Sequence, residues 1–235
     1  MIIIPARLNS TRFSQKILTD IGGEPMFVKT AKLANGIDDC VVAVDDESVL
    51  NIAKKYGLNA IMTSKEHQSG TQRLGECVEK LGLKDDVIIN IQADEPFLEK
   101  ENLKAFVEFS KKHLGNDAFM CSCYKLSKSF LDENAVKVVI DNDGFAMYFS
   151  RSPIPYHRNH KDNSLYKIHL GIYSYKASSL LEYASLKSSL DDIESLEQLK
   201  ALENGKKIKM LEISTKSVGI DTKEDLQRAK EIFGF

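Results

Sequence analysis

Three cations, Arg7, Arg12 and Lys16, fall within ten residues near the start of the chain, interleaved with Ser10 and Thr11 and with no acid among them. They follow Ile2-Ile3-Ile4, an apolar run without polar alternation that reads as a strand buried on both faces of a parallel sheet. Loops at the carboxyl ends of such strands are where open α/β sheets bind ligands. The cluster therefore fits a ligand with several negative charges, most simply a polyphosphate; a solvated basic turn is the plain alternative. Asp94 and Glu95 stand just beyond a second apolar run, Val87-Ile88-Ile89-Asn90-Ile91. Carboxylates in that position suit Mg²⁺, which takes a couple of acids together with substrate phosphates, although Asp-Glu-Pro is also ordinary turn chemistry. Cations after one strand and acids after another are complementary halves of a nucleotide–metal site.

Other residues carry two readings each. Asp221 with Glu224, or Thr222 with Asp225, would cap the last helix whatever the function. His169 and Tyr173 share one strand face, where cross-strand packing alone accounts for them. Arg151 precedes Ser152-Pro153 and suits a strand end, while Glu197 and Gln198 lie in a helical pattern where solvated positions are usual. His157 and His160 have no Cys or acid partner and read as surface residues. No G-x-G-x-x-G follows the first strand and no G-x-x-x-x-G-K-[ST] occurs, which weighs against a dinucleotide oxidoreductase and a P-loop NTPase.

The elements that must position these residues alternate between strand and helix in the first half. Asp39 to Val44 reads as a second buried strand, followed by a helix from Glu47 to Tyr56 that Gly57 closes in a left-handed cap. Ala60 to Thr63 is a short strand. A loop, His67 to Arg73, then leads into a helix with Leu74, Cys77, Val78 and Leu81 on its apolar face, and Ser69 with Gln72 fits a capping box. This alternation predicts a parallel sheet with right-handed crossovers. From about 118 to 175 strands dominate: 119–125, 136–140, 145–149 and 168–175, with Asn142-Asp143-Gly144 as a hairpin turn. The polar stretch after Tyr156, as far as Ser164, reads as a loop. A helix over Ile193–Glu203, a strand over Lys209–Ile213 and a helix over Lys223–Phe233 complete the chain. The expectation is one domain over 1–235 with a β-rich insertion.

Net charge is −2 over 235 residues, so no global field recruits nucleic acid or an anionic membrane, and the N-terminal cations are a local feature. No apolar run approaches the ~20 residues that span a bilayer, and the first strand lacks the features of a signal peptide. Cys40, Cys77, Cys121 and Cys123 show no C-x-x-C spacing, so buried, reduced thiols in a cytoplasmic protein are expected.

Taken in order, Ile4-Pro5-Ala6-Arg7, Ser10-Thr11-Arg12, Lys16, His67-Gln68-Ser69-Gly70-Thr71, Gln92-Ala93-Asp94-Glu95-Pro96, Phe149-Ser150-Arg151-Ser152-Pro153-Ile154-Pro155, His169-Leu170-Gly171-Ile172-Tyr173, Ser195-Leu196-Glu197-Gln198-Leu199 and Gly219-Ile220-Asp221-Thr222 form one pattern. Across essentially the whole chain it closely resembles the 3-deoxy-manno-octulosonate (Kdo) cytidylyltransferases. The resemblance implies a Rossmann-like nucleotide-diphospho-sugar transferase fold: α/β, with a mostly parallel mixed sheet and a β-rich insertion at 118–175 that forms a homodimer. It implies transfer of CMP from CTP to Kdo, with release of pyrophosphate, for lipopolysaccharide biosynthesis.

The same resemblance distributes roles. Arg7, Arg12 and Lys16 match the triphosphate loop and, with Asp94, the catalytic set. Ala6, Arg7, Lys16, Gln68, Ser69, Gly70 and Arg73 fall in the nucleotide-binding segments. Gln92, Arg151, His169, Tyr173, Glu197 and Gln198 fall in the sugar-acid pocket, and Asp94 and Asp221 match the Mg²⁺ ligands. Two positions depart from the family pattern: Ser14-Gln15-Lys16 stands for Pro-Gly-Lys, and Ala93 for Gly. Lysine and aspartate are kept, but Gln15 lacks the φ freedom of Gly.

Overall fold

The computed structural model describes residues 1–9, 13, 15–67, 69–159, 164–217 and 219–235. Arg12 and Gln68, with Ser10, Thr11 and His160, lie outside the described residues. The elements run β1 (Ile2–Ala6), α1 (Met26–Asn35), β2 (Cys40–Val44), α2 (Glu47–Lys55), β3 (Ala60–Met62), α3 (Gly70–Leu81), β4 (Val87–Ile91), α4 (Lys100–His113), β5 (Met120–Ser127), β6 (Lys137–Ile140), β7 (Ala146–Ser150), β8 (Tyr166–Lys176), α5 (Ala177–Ser185), α6 (Leu190–Glu194), α7 (Leu199–Glu203), β9 (Ile208–Glu212) and α8 (Lys223–Phe233). They group into two compact units, 1–105 with 215–235, and 106–214.

In the first unit β3, β2, β1 and β4 lie side by side and all parallel, with Ile2 opposite Cys40 on one flank and Ile89 on the other. β1 and β2 are buried along their whole length, the expected state of strands covered on both faces. All three strand exits that matter, after Ala6, Val44 and Ile91, open at the same carboxyl edge. α2 closes as its sequence predicts, with Gly57 at φ +69°.

A satellite cluster holds the loops at that edge. Ile21, Met26, Ile220 and Ala229 form its buried centre, with Phe13, Phe97, Leu226, Phe233 and Phe235 packed against it. Phe97 stacks on Phe233 with ring centroids 4.0 Å apart. Phe13 lies three residues before Lys16, Phe97 three after Asp94, and Ile220 immediately before Asp221. One apolar cluster thus anchors all three segments that carry charge.

The second unit is the β-rich part. β5 pairs antiparallel with β8 and parallel with β9, while β6 and β7 form a hairpin. Its turn uses Asn142-Asp143-Gly144 as expected: Gly144 takes φ +82°, and Asp141 accepts from Asp143 and Phe145 amides. The single helix expected over 193–203 is two, α6 and α7, because Ser195 adopts a left-handed conformation at φ +52°. Helices α1, α4 and α5 were not anticipated from the sequence.

Before Lys16 the backbone also turns left-handed, with Gln15 at φ +52° and ψ +30°. A 3-10 turn follows over Lys16–Leu18, closed by Lys16 N donating to Phe13 O and Leu18 N to Gln15 O. Gln15 therefore keeps the conformation that a glycine would adopt freely, at a cost of about 1 kcal/mol. Ala93, by contrast, has no positive φ and needs no glycine. We expect Gln15→Gly to be neutral or to stabilise by up to about 1 kcal/mol in denaturant unfolding, and Gln15→Val to destabilise by about 1 kcal/mol or more. A Gly variant less stable than the parent would show that this backbone angle is not the constraint.

Candidate active site

Charge converges at the carboxyl edge of the first unit. Lys16 Nζ lies 2.5 Å from Asp94 Oδ2 and 2.7 Å from Asp221 Oδ1, joining residues 78 and 205 positions apart. The lysine side chain is 11% exposed, against 21% for Asp94 and 48% for Asp221. Burial opposes the ammonium, but Asp94 and Asp221 outweigh it and hold its pKa above the ordinary lysine value.

Each acid is placed by its own backbone. Thr30 Oγ1 on α1 donates to Ala93 O at 3.1 Å, and Ile220 N donates to Asp94 O at 3.0 Å. The returning segment is pinned by two further carboxylates. Glu95 accepts from Ser217 Oγ, and its Oε1 sits 2.9 Å from where a Cβ on Gly219 would be, so a side chain there would push the carboxylate aside. Glu99 accepts from Thr215 Oγ1 and Lys216 N, and these bonds with that from Asn102 outweigh burial to lower its pKa. The two capping alternatives for α8 are resolved: Thr222 and Asp225 make a capping box. The cap spares the Asp221 side chain, which reaches Lys16 instead.

Of the nucleotide set, Ala6 ends β1 fully buried and Arg7 follows it, exposed. The loop after β1 is tied down by Leu8 N donating to Asp45 Oδ1 at 2.9 Å. Asp45 in turn pairs with Arg73 Nη2 at 3.2 Å, and Arg73 Nη1 donates to Thr63 Oγ1 and Ser64 O. Arg73 is only 2% exposed, so its guanidinium braces the ends of β2 and β3 under the loop. Burial lowers its pKa and Asp45 counters the effect. Ser69 caps α3 by accepting from Gln72 N, and a Cβ on Gly70 would touch Pro5 and the Gln92 amide at ordinary contact distances. Gln92 thus lies in the first unit beside Gly70.

The remaining sugar-pocket candidates lie in the second unit. His169 and Tyr173 would stand roughly 13 Å apart on a regular strand, yet their rings are 5.4 Å apart. The register of β8 against β5 slips between Ser122 and Cys123, which brings the two rings together. Ser122 Oγ fills the irregularity: it donates to Ile172 O at 2.8 Å and lies 2.9 Å from His169 Nε2. With its one hydrogen on the carbonyl, the hydroxyl accepts from Nε2–H, which leaves Nδ1 as an acceptor. Burial pulls the His169 pKa down to about 3 and pushes Tyr173 up, so both are neutral near pH 7. Tyr173 OH donates to Gln198 Oε1 at 3.2 Å, while Gln198 Nε2 is buried without a partner. Gln198 is thus buried, not solvated. Tyr183 OH holds the adjacent Glu197 O at 2.5 Å.

Arg151 is locked by the break between α6 and α7. Its Nε donates to Glu194 O at 2.7 Å, Nη2 to Ser195 O at 3.2 Å and Nη1 to Glu133 O at 3.1 Å. Glu194 also accepts from Arg151 N and Ser150 Oγ. One N–H remains on each Nη, so the guanidinium is fixed in orientation and still has donors to offer. Lys137, fully buried, donates to Asp132 O and Arg151 O beneath it. Asp45, Thr63, Ser122, Lys137 and Glu194 are supports that sequence reasoning missed; contacts across 10 to 47 positions reveal them. His157 is half-buried among exposed neighbours.

Among the described residues no group of three or more His, Cys, Asp or Glu side chains could hold a metal. Asp94 and Asp221 nonetheless suit Mg²⁺, which prefers a couple of carboxylates plus substrate oxygens. In this structure the Lys16 ammonium is shared between them.

The cytidylyltransferase family model matches residues 1–208. A 3-deoxy-manno-octulosonate cytidylyltransferase of Wolinella succinogenes is 49% identical over 242 aligned positions, covering 100% of this chain and 99% of that protein. One from Helicobacter pylori strain G27 is 48% identical, covering 99% and 97%. A solved structure of CMP:2-keto-3-deoxy-manno-octonic acid synthetase complexed with CTP superposes with a TM-score of 0.90 at 33% identity, covering 99% of this chain and 97% of that one. Full-length likeness at this level, on the α/β framework seen here, means that the chain belongs to the 3-deoxy-manno-octulosonate cytidylyltransferase family.

Proposed function

We propose that this enzyme transfers CMP from CTP to Kdo and releases pyrophosphate, with Mg²⁺ held by Asp94 and Asp221. The observation that carries the reading is the meeting of Lys16 with those two acids, drawn from three distant segments. A cation locus of this kind beside a basic loop is what a nucleoside triphosphate with its counter-ion requires.

The reaction is in-line attack of the Kdo anomeric hydroxyl on the α-phosphorus of CTP, with pyrophosphate as leaving group. No protein nucleophile is needed, so the chain's own residues work by positioning and by charge. Bound Mg²⁺ supplies Lewis acidity toward phosphate oxygens. Arg7, Arg12 and Lys16 offset charge on the triphosphate and on the departing pyrophosphate. Ser69 and Gly70 open α3, whose N-terminus favours negative charge. Arg73 holds the base of the phosphate loop through Asp45, with Gln68 in the same nucleotide-reading segment. Arg151 presents its remaining donors to the sugar carboxylate. His169 Nδ1 accepts from a sugar hydroxyl, and Gln198 Nε2 gains in a sugar oxygen the partner it otherwise lacks. Gln92, Tyr173 and Glu197 complete that set.

We also assign a homodimer and a cytoplasmic setting. The second unit leaves Leu126, Leu131, Met147, Tyr156 and Leu165 between 44% and 78% exposed, all within 118–175, as an interaction surface would. The four cysteines are free and buried, in keeping with a reducing compartment, and among the described residues no helix is long and apolar enough to cross a membrane.

Pyrophosphate release should require CTP, Kdo and Mg²⁺ together; release without Kdo would contradict the reading. Asp94→Asn and Lys16→Ala should each lose turnover by ~100-fold or more, and parental release by Asp94→Asn would remove the metal role. Arg151→Ala should raise KM for Kdo with KM for CTP unchanged, whereas the reverse pattern would place Arg151 on the nucleotide. Light scattering should give twice the chain mass of 26.4 kDa; a mass of 26.4 kDa would exclude the dimer.

A further inference from the structure

Two carboxylates that converge on one point repel each other unless a cation lies between them. Here that cation is part of the chain. Asp94 is fixed from both sides by the bonds to Ala93 O and Asp94 O, and Asp221 follows the buried Ile220 and precedes a capped helix. Lys16 differs: its ammonium ends a four-carbon stem with freely rotating donors. Of the three charged groups, it is the one that can leave without moving backbone.

We propose that Lys16 is the resident counter-ion of the Asp94–Asp221 pair and is exchanged when substrate binds, the acids passing to the divalent cation and the ammonium to the triphosphate. The inference rests on the reading of this pair as the metal locus. Ammonium and metal seek the same carboxylate oxygens, Asp94 Oδ2 and Asp221 Oδ1, so each excludes the other. Metal alone must displace Lys16 into a loop with no phosphate to receive it. Triphosphate alone must draw Lys16 away from two converging acids that it neutralised. Together, each ligand relieves the cost of the other. Linkage makes the effect reciprocal: whatever factor nucleotide contributes to metal affinity, metal contributes to nucleotide affinity. The chain thus avoids loading either one without the other.

The test is binding of Mn²⁺ alone, without nucleotide, followed by electron paramagnetic resonance. The parent protein, Asp94→Asn, Lys16→Met and Lys16→Met/Asp94→Asn are compared. We expect Lys16→Met to bind Mn²⁺ about tenfold more tightly than the parent, a difference of ~1.4 kcal/mol, and the double variant to lose that site. The melting temperature of Lys16→Met should also rise further than that of the parent at the same Mn²⁺ concentration. Equal Mn²⁺ affinity in parent and Lys16→Met, weakened in both by Asp94→Asn, would overturn the exchange and leave the metal locus standing. Affinities that Asp94→Asn does not change would overturn both. Should Lys16→Met not fold, acetic anhydride labelling of the parent read by mass spectrometry decides. Lys16 should become several-fold more reactive in saturating Mn²⁺, and unchanged reactivity would overturn the proposal.

Discussion

Two acids brought to one point by residues that lie far apart in the chain are tolerable only with a positive charge between them. Much of the first unit can be understood as the framework for that arrangement. Parallel β1 and β4 deliver the basic loop and the Asp94 turn to the same edge. The aromatic cluster around Ile220 takes one side chain from near each charged residue, so apolar burial brings the charges together before their own attraction fixes the last few ångströms. Such burial is not directional; the hydrogen bonds from Thr30 to Ala93 O and from Ile220 to Asp94 O supply the direction.

The second unit solves a different problem, that of fixing neutral and planar groups. It does so through irregularities. A slip in the β5–β8 register brings His169 beside Tyr173, and a left-handed Ser195 ends α6 so that the carbonyls of Glu194 and Ser195 turn to Arg151. In both places backbone groups left over by the irregularity are taken up by the residue being positioned or by its support. Burial keeps His169 neutral, which suits an acceptor role and not a charged one.

Much of this was readable from residue pattern. Runs such as Val87–Ile91 appear as strands to the residue, and Thr222 with Asp225 was already one of two capping choices for α8. The division of labour between Thr222 and Asp221 was not readable, because it depends on Lys16 lying within reach. Local pattern also merged α6 and α7, since a positive φ at Ser195 has no signature when the residue is not glycine. The same holds for Gln15, where the backbone adopts the glycine conformation without the glycine. Arg73 could be singled out by resemblance, but its burial against Asp45 and Thr63 follows from strand order and not from spacing. Ser122 and Lys137 look like ordinary strand residues until the partner strand is in place.

The most direct measurement of the central claim is anomalous diffraction from crystals grown with Mn²⁺ and CTP. The account predicts a manganese peak in contact with carboxylate oxygens of both Asp94 and Asp221, with Lys16 Nζ on a phosphate oxygen. A peak bound by the triphosphate alone, with Lys16 still between the two acids, would contradict it.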